Sequence, residues 1–232
     1  MKIRAKRITQ NIPHSEITIW DEKALNNLLQ NKKNLKILEI GSWLGGGSTQ
    51  ILARYASELT CVDNWKGNDT YHHNLAIKNF SPLQVFQNNT SELNCTLVTV
   101  IAHSTQAAKL LKDNYFDFIF IDADHRYEGI KKDLEVYLPK LAEGGTISGH
   151  DCEARLPNTQ VLFTETDLAL DAVASPIQKF IHVHPGVITA VNEKFGKDLF
   201  LFSDESNAFK TDDGRVCYST VWAYTPNLID VI

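Results

Sequence analysis

Asp122, Asp124 and His125 fall within four residues, and His150-Asp151 form a second ionisable pair further along the chain. Such groups trade protons and hold polar ligands, so their value depends on whether the fold brings the two sets together. Each set ends an apolar run. Phe118-Ile119-Phe120-Ile121 precedes Asp122 and has the continuous apolar character of a strand buried on both faces. Thr146-Ile147-Ser148 precedes His150 and reads as a second short strand. Between them Ile130, Leu134, Tyr137, Leu138 and Leu141 recur at helical spacing, and Gly144-Gly145 is expected to end that helix. A βαβ unit of this kind delivers both sets to one sheet edge. Ligands of open α/β sheets bind in the crevice beyond the strand C-termini, so the chemistry is expected there.

The elements that position this edge begin upstream. Leu35–Ile40 reads as a first strand, followed by Gly41-Ser42-Trp43-Leu44-Gly45-Gly46-Gly47 and a helix opening at Ser48-Thr49 and carrying Ile51, Leu52 and Tyr55. Leu59–Val62 is a second strand ending at Asp63. Strand, glycine loop, helix, strand and acid open a nucleotide-binding α/β domain. The glycines let backbone approach a ligand, and an acid about 20 residues on reaches ribose hydroxyls. The loop lacks G-x-G-x-x-G, and no lysine follows its glycines, which excludes a P-loop. Glu39 beside the turn suits a ligand with a positive or neutral head better than a pyrophosphate.

With 232 residues, 43% of them hydrophobic, the chain can bury one sizeable core, and a single domain over 1–232 is expected. Its parts are an N-terminal extension and helix (1–34), the α/β body and an inserted lid or substrate segment (153–178). A net charge of −5 without a dense basic run argues against a nucleic-acid partner. No apolar stretch of about 18 residues suggests a membrane span, and no apolar core follows the basic MKIRAKRITQ as in a signal peptide. Four scattered cysteines without CxxC spacing speak against a disulfide framework or structural zinc, so a cytoplasmic protein is expected.

Asp21 is a plausible N-cap for a helix through Leu25, Leu28 and Leu29, and Glu16–Trp20 reads as a strand or a lead-in packed on the domain. Residues 64–90 form a polar excursion with Trp65, Tyr71, His72 and His73, able to close over a ligand, with a helix from about Tyr71 to Asn79. Leu97–Ile101 is a third strand ending at His103-Ser104, with a helix from Thr105 to Leu111. Pro185 to Gly196 has a helix start and a glycine stop, and Leu199–Phe202 with Ser219–Tyr224 is expected to form an antiparallel closing hairpin. The fold expected is a doubly wound, Rossmann-like α/β sheet, mostly parallel.

The stretches LEIGSWLGGGST, CVDNW, FIFIDADHRYEGIKKDLEVYLPKLAEGGTISGHD and HPGVITAVNEKFG resemble class I S-adenosylmethionine-dependent methyltransferases, in particular the subfamily often labelled methyltransferase 24. The resemblance spans roughly residues 35–150 and returns at PGVITAV. It implies that Glu39 to Gly47 hold the methionine part of the cofactor, with Glu39 near its ammonium and Gly41, Ser42, Gly45 and Ser48 in the loop. Asp63 would bind the ribose, Asn64-Trp65 flank the adenine, His103-Ser104 sit beside it, and Asp122 also touch the cofactor. The loop is one residue longer before Thr49 than relatives have. The chain is also similar to metal-dependent O-methyltransferases acting on catechols, caffeoyl thioesters and macrolide sugars. That likeness implies a divalent ion (Mg, Mn or Fe) held by Asp122, His150 and Asp151, and a general base at His125, neutral near pH 7. His150 departs from an all-oxygen set and suits Mn²⁺, Fe²⁺ or Zn²⁺ better than Mg²⁺. The implied reaction is methylation of a small-molecule hydroxyl, as in natural-product biosynthesis.

Plainer readings stand beside these. Asp122 could cap the following helix, His125 could fix its loop, and His150 could contact substrate or pack. His182 and His184 alternate along a possible strand and could face the pocket, with surface positions the plainer reading, and Glu128 and Asp133 read as the exposed side of a helix, paired with Lys131 or Lys132. Rival functions are a metal-independent methyltransferase using His125 and His150 as base and orienter, an NAD-dependent oxidoreductase, and a non-catalytic cofactor-binding protein. The acceptor and the oligomeric state are left open, although the long inserted segment offers a surface to a second copy.

Overall fold

The computed structural model describes residues 17–67, 81–156, 163–176 and 179–226. Tyr71, His72, His73, the helix expected around them and part of the inserted segment lie outside these residues. A seven-stranded sheet runs in the order β3, β2, β1, β4, β5, β11, β8. Its five parallel members are β1 (Leu35–Ile40), β2 (Ala56–Asp63), β3 (Thr96–Ile101), β4 (Phe116–Ile121) and β5 (Leu141–Gly149). β8 (Phe200–Leu201) and β11 (Trp222–Tyr224) complete it in antiparallel sense. The expected doubly wound, mostly parallel sheet is therefore present.

Ile37, Leu38, Phe118, Ile119 and Phe120 are fully buried, as central parallel strands covered on both faces must be. One face packs on α5 (Tyr127–Tyr137) and α7 (Pro185–Phe195), where Ile130, Leu134, Tyr137, Ile188 and Val191 join Leu38 and Ile119 in one cluster. The other packs on α1 (Ile19–Leu29), α2 (Ser48–Leu52) and α3 (Pro82–Thr90) through Leu25, Leu29, Ile51, Leu52 and Phe86. A short helix α4 (Ser104–Ala107) follows β3. In the inserted segment α6 (Glu165–Leu168) precedes a two-stranded ribbon of β6 (Val173–Ala174) and β7 (His182–Val183), and β9 (Phe209–Lys210) pairs with β10 (Val216–Cys217).

Three local expectations are corrected, and the antiparallel pairing of the two C-terminal strands holds. Asp21 is not the N-cap of α1; Thr18 is, and Asp21 is the third helical residue, its carboxylate accepting from Thr18 N and Oγ1 at 2.8 and 2.6 Å. Ile19 and Trp20 belong to this helix, so a strand does not reach Trp20, while the buried Ile17 packs in the core as a lead-in would. Gly144-Gly145 do not end α5, which stops at Tyr137 in a short 3₁₀ turn containing Pro139; the glycines lie inside β5, where its register with β4 shifts. The C-terminal strands do pair, but β11 lies between β5 and β8. This insertion places Trp222 beside the end of β5, where its Nε1 donates to the His150 carbonyl (3.1 Å).

Candidate active site

The C-terminal ends of β1, β2, β4 and β5 open into a cavity of about 1830 Å³. One part is lined by the glycine loop, Asp63, Asn64 and His103 to Gln106, the other by acids and histidines after β4 and β5. Gly41 has φ 91°, and a Cβ there would lie 1.8 Å from the Asp122 carbonyl oxygen, so the loop after β1 presses directly on the turn after β4. Gly41 N donates to Val62 O (2.9 Å) and Asp122 N to Ile40 O (2.8 Å), which fixes these loops against one another.

Of the residues implied for the cofactor, Gly41, Ser42, Gly45, Ser48, Asp63, Asn64, His103, Ser104 and Asp122 line this cavity. Asp63 accepts from Trp43 N (2.8 Å) and Trp65 N (2.6 Å), which aims its carboxylate across the mouth of the loop. Glu39 and Trp65 do not line it. Glu39 is fully buried beneath the loop and accepts from Ser48 Oγ and Thr49 Oγ1, both at 2.6 Å. Burial pushes its pKa up against those bonds, which tie it to the start of α2. The Trp65 ring packs on Phe86 (centroids 4.9 Å apart) and donates from Nε1 to Trp43 O (2.6 Å).

The second part centres on Asp151. Its Oδ1 lies 3.1 Å from His150 Nδ1 and 3.6 Å from His184 Nδ1, and its Oδ2 lies 3.4 Å from His125 Nε2. His125 Nε2 is also 3.2 Å from Asp122 Oδ1, and its Nδ1 is 3.1 Å from Asp171 Oδ1. His150 Nε2 is 3.3 Å from Asp21 Oδ2, and His184 Nδ1 is 2.7 Å from Glu153 Oε1. Five carboxylates thus face three imidazoles. Asp122, His150 and Asp151 place one donor atom each within 4.8 Å of one another, so the set implied by the resemblance converges.

Burial alone would lower the pKa of His125, but its bonds to Asp122 and Asp171 and the charge of Asp151 raise it well above 6.5. The expectation of a neutral ring is corrected: with the carboxylates uncommitted, His125 holds its proton. His150 is raised in the same way, the charges of Asp151 and Asp21 outweighing burial. Burial would raise Asp151, yet His150 and His184 hold it well below the usual carboxylate range.

Sequence reasoning missed Asp21, Glu153, Asp171 and His184. A surface position is the plainer reading of His182 and His184; His182 does lie exposed, whereas His184 turns inward. The missed signal was the HPG step: a Cβ on Gly186 would lie 2.3 Å from the His125 carbonyl oxygen, so the start of α7 sits against the His125 loop. Asp133 is also corrected. It is almost fully buried beside Ser104, lines the cavity and pairs with neither lysine; burial raises its pKa from 3.8 to about 7. Arg126, not Asp122, holds the N-cap position of α5, without a side-chain cap bond, while Asp124 accepts from Arg126 Nε and Nη2.

A family model described as a methyltransferase domain matches residues 38–152, the span from β1 to just past His150-Asp151. None of the curated proteins compared with the chain matches it. Among solved structures, an O-methyltransferase from Bacillus cereus in complex with SAH superposes with a TM-score of 0.54 over 93% of this chain and 85% of that one, at 22% identity. A precorrin 8W decarboxylase from Methanobacterium thermoautotrophicum gives a TM-score of 0.52 over 94% of each chain, at 14% identity. The chain spans little more than half of some others, such as a Mesorhizobium loti S-adenosylmethionine-dependent methyltransferase (55% of that chain, 58% of this one, 16% identity, TM-score 0.41). At these identities the superpositions establish the fold. No helix among the described residues is long and apolar enough to cross a membrane.

Proposed function

We propose that the chain, whose residues 38–152 match a methyltransferase domain, is a class I, S-adenosylmethionine-dependent enzyme that methylates a hydroxyl of a small-molecule acceptor with the help of one divalent cation. The observation that carries this reading is the charge of the cluster. Even with His125, His150 and His184 all protonated, the five carboxylates around them leave two negative charges, the charge of one divalent cation. The donor chemistry fits as well: two carboxylates and an imidazole suit Mn²⁺, Fe²⁺ or Zn²⁺. The superposition with an O-methyltransferase that binds SAH supports the cofactor and the acceptor atom. Because a decarboxylase shares the fold, the site rather than the sheet carries the argument.

In this reading the glycine loop, Asp63 and His103-Ser104 hold the cofactor with its methyl group toward Asp122. Asp122, His150 and Asp151 hold the cation, which when bound lowers the pKa of the acceptor hydroxyl. The acceptor oxygen attacks the methyl carbon, the carbon–sulfur bond breaks, and S-adenosylhomocysteine leaves. Were Asp122 and Asp151 to hold a cation, the attraction that keeps a proton on His125 would be weaker. Asp171 then holds Nδ1–H, and Nε2 is the nitrogen free to take the hydroxyl proton. Alignment supplies much of the rate, so the walls of the cavity matter as much as the base.

The test is calorimetric titration of S-adenosylhomocysteine into metal-stripped protein, alone and with Mg²⁺, Mn²⁺ or Fe²⁺, repeated with Asp122→Ala. Cofactor-product binding with a separate metal heat that vanishes in the variant supports the reading. Cofactor binding with turnover that survives a strong chelator would favour metal-independent transfer, with His125 and His150 as base and orienter.

A further inference from the structure

We propose that Asp21 is a positioning residue of the cation site, holding the His150 ring so that Nδ1 faces Asp122 and Asp151. The inference rests on the metal-assisted reading above. Asp21 lies outside the matched domain, at the third position of α1, yet lines the same cavity as His150. A carboxylate at this helical position needs no burial to cap its helix, because a capping box works equally well at a surface. Here the side chain is 2% exposed. Its Oδ1 accepts from Ser219 Oγ (2.6 Å), its Oδ2 accepts from Thr18, and the same Oδ2 lies 3.3 Å from His150 Nε2.

The two nitrogens of His150 therefore face different partners. Nε2 faces a buried carboxylate that belongs to no candidate ligand set, whereas Nδ1 lies 3.1 Å from Asp151 Oδ1 and 3.9 Å from Asp122 Oδ2. Nε2 lies at ion-pair distance from Asp21 without a hydrogen bond, while carboxylate oxygens converge before Nδ1; a buried charge behind one ring nitrogen favours a proton there and leaves the other for a ligand. Trp222 holds the backbone of the same residue through the His150 carbonyl, so ring and main chain are both anchored. The plainer alternative is an ion pair that only ties α1 to the sheet, and it predicts a different result.

The experiment titrates Mn²⁺ into the metal-stripped full chain by calorimetry and records the melting temperature of each metal-free protein. Wild type is expected to bind one equivalent and Asp122→Ala none. Asp21→Asn, which keeps the size but not the charge, is expected to weaken Mn²⁺ binding about 10- to 100-fold. Ser219→Ala removes a bond to Asp21 without touching His150, and is expected to lower the melting temperature with Mn²⁺ affinity close to wild type. Should Asp21→Asn fail to fold, Asp21→Glu, which displaces the carboxylate, carries the same expectation of weakened binding. Unchanged Mn²⁺ affinity in the folded Asp21 variant, with binding lost in Asp122→Ala, overturns the positioning role and leaves the metal reading standing. No binding to wild type overturns both.

Discussion

His150 and Asp151 are neighbours in sequence, yet their side chains turn to face each other, with Nδ1 of the one 3.1 Å from Oδ1 of the other. Along an extended strand adjacent side chains point to opposite faces. Here the strand has ended at Gly149, and Asp151 adopts φ 62°, the left-handed region uncommon for a residue with a Cβ. That turn folds the Asp151 carboxylate back toward His150, His184 and His125 at once. The left-handed backbone thus puts this one carboxylate at the hub of the charged cluster.

Replacing Asp151 by Asn keeps that shape but removes the charge three imidazoles share. Asp151→Asn is expected to lose at least tenfold in Mn²⁺ affinity, with S-adenosylhomocysteine binding nearly unchanged because Asp63 and the glycine loop are intact. Paired calorimetric titrations of the two ligands check this. An equal loss for both would mean that Asp151 serves the fold of the whole cavity.

Gly41→Ala should be among the most damaging single changes. Its Cβ would lie 1.8 Å from the Asp122 carbonyl oxygen, and the φ of 91° is itself unfavourable for alanine. Backbone must move at the junction of the cofactor loop and the Asp122 turn, at a cost of roughly 2 kcal/mol or more. Urea denaturation should show the loss, and S-adenosylhomocysteine affinity should fall by more than tenfold. Unchanged values for both would contradict the close packing of the two loops.

Asp133 gives a pH dependence away from the cation cluster. Burial raises its folded pKa from 3.8 to about 7, so the unfolded chain gives up this proton first as pH rises. Stability contributed at low pH is therefore lost between about pH 4 and pH 7, and above that the buried charge costs on the order of 4 kcal/mol at most. Asp133→Asn should abolish this fall and be the more stable protein at pH 8. Urea midpoints at pH 5 and pH 8 for both proteins decide it; parallel curves would refute the assignment.

Glu39→Gln tests whether that residue serves the loop. A glutamine offers one acceptor oxygen where two hydroxyls now donate, from Ser48 and Thr49. One buried hydroxyl would lose its partner, at a cost of about 1–3 kcal/mol. The melting temperature of the cofactor-free protein should drop accordingly. A variant that melts like wild type but binds S-adenosylhomocysteine poorly would instead return Glu39 to the cofactor ammonium.

The sequence by itself determined the parallel sheet, because continuous apolar runs such as Phe118–Ile121 and the glycine stretch at Gly41 to Gly47 are local signals with local causes. It also determined that Asp122 and His150-Asp151 would meet, since residues ending adjacent parallel strands must share an edge. It misplaced Asp133 because a polar residue on an amphipathic helix reads as solvated unless another element covers it, here α4. The tertiary structure alone decided the partners of each imidazole. Asp21, Glu153, Asp171 and His184 come from α1, the end of β5, the inserted segment and the cap of α7. No local pattern marks Asp21, Glu153 or Asp171, because what makes each one part of the site is a through-space charge, and that depends on how distant segments pack; only His184 carried a local signal, the HPG step.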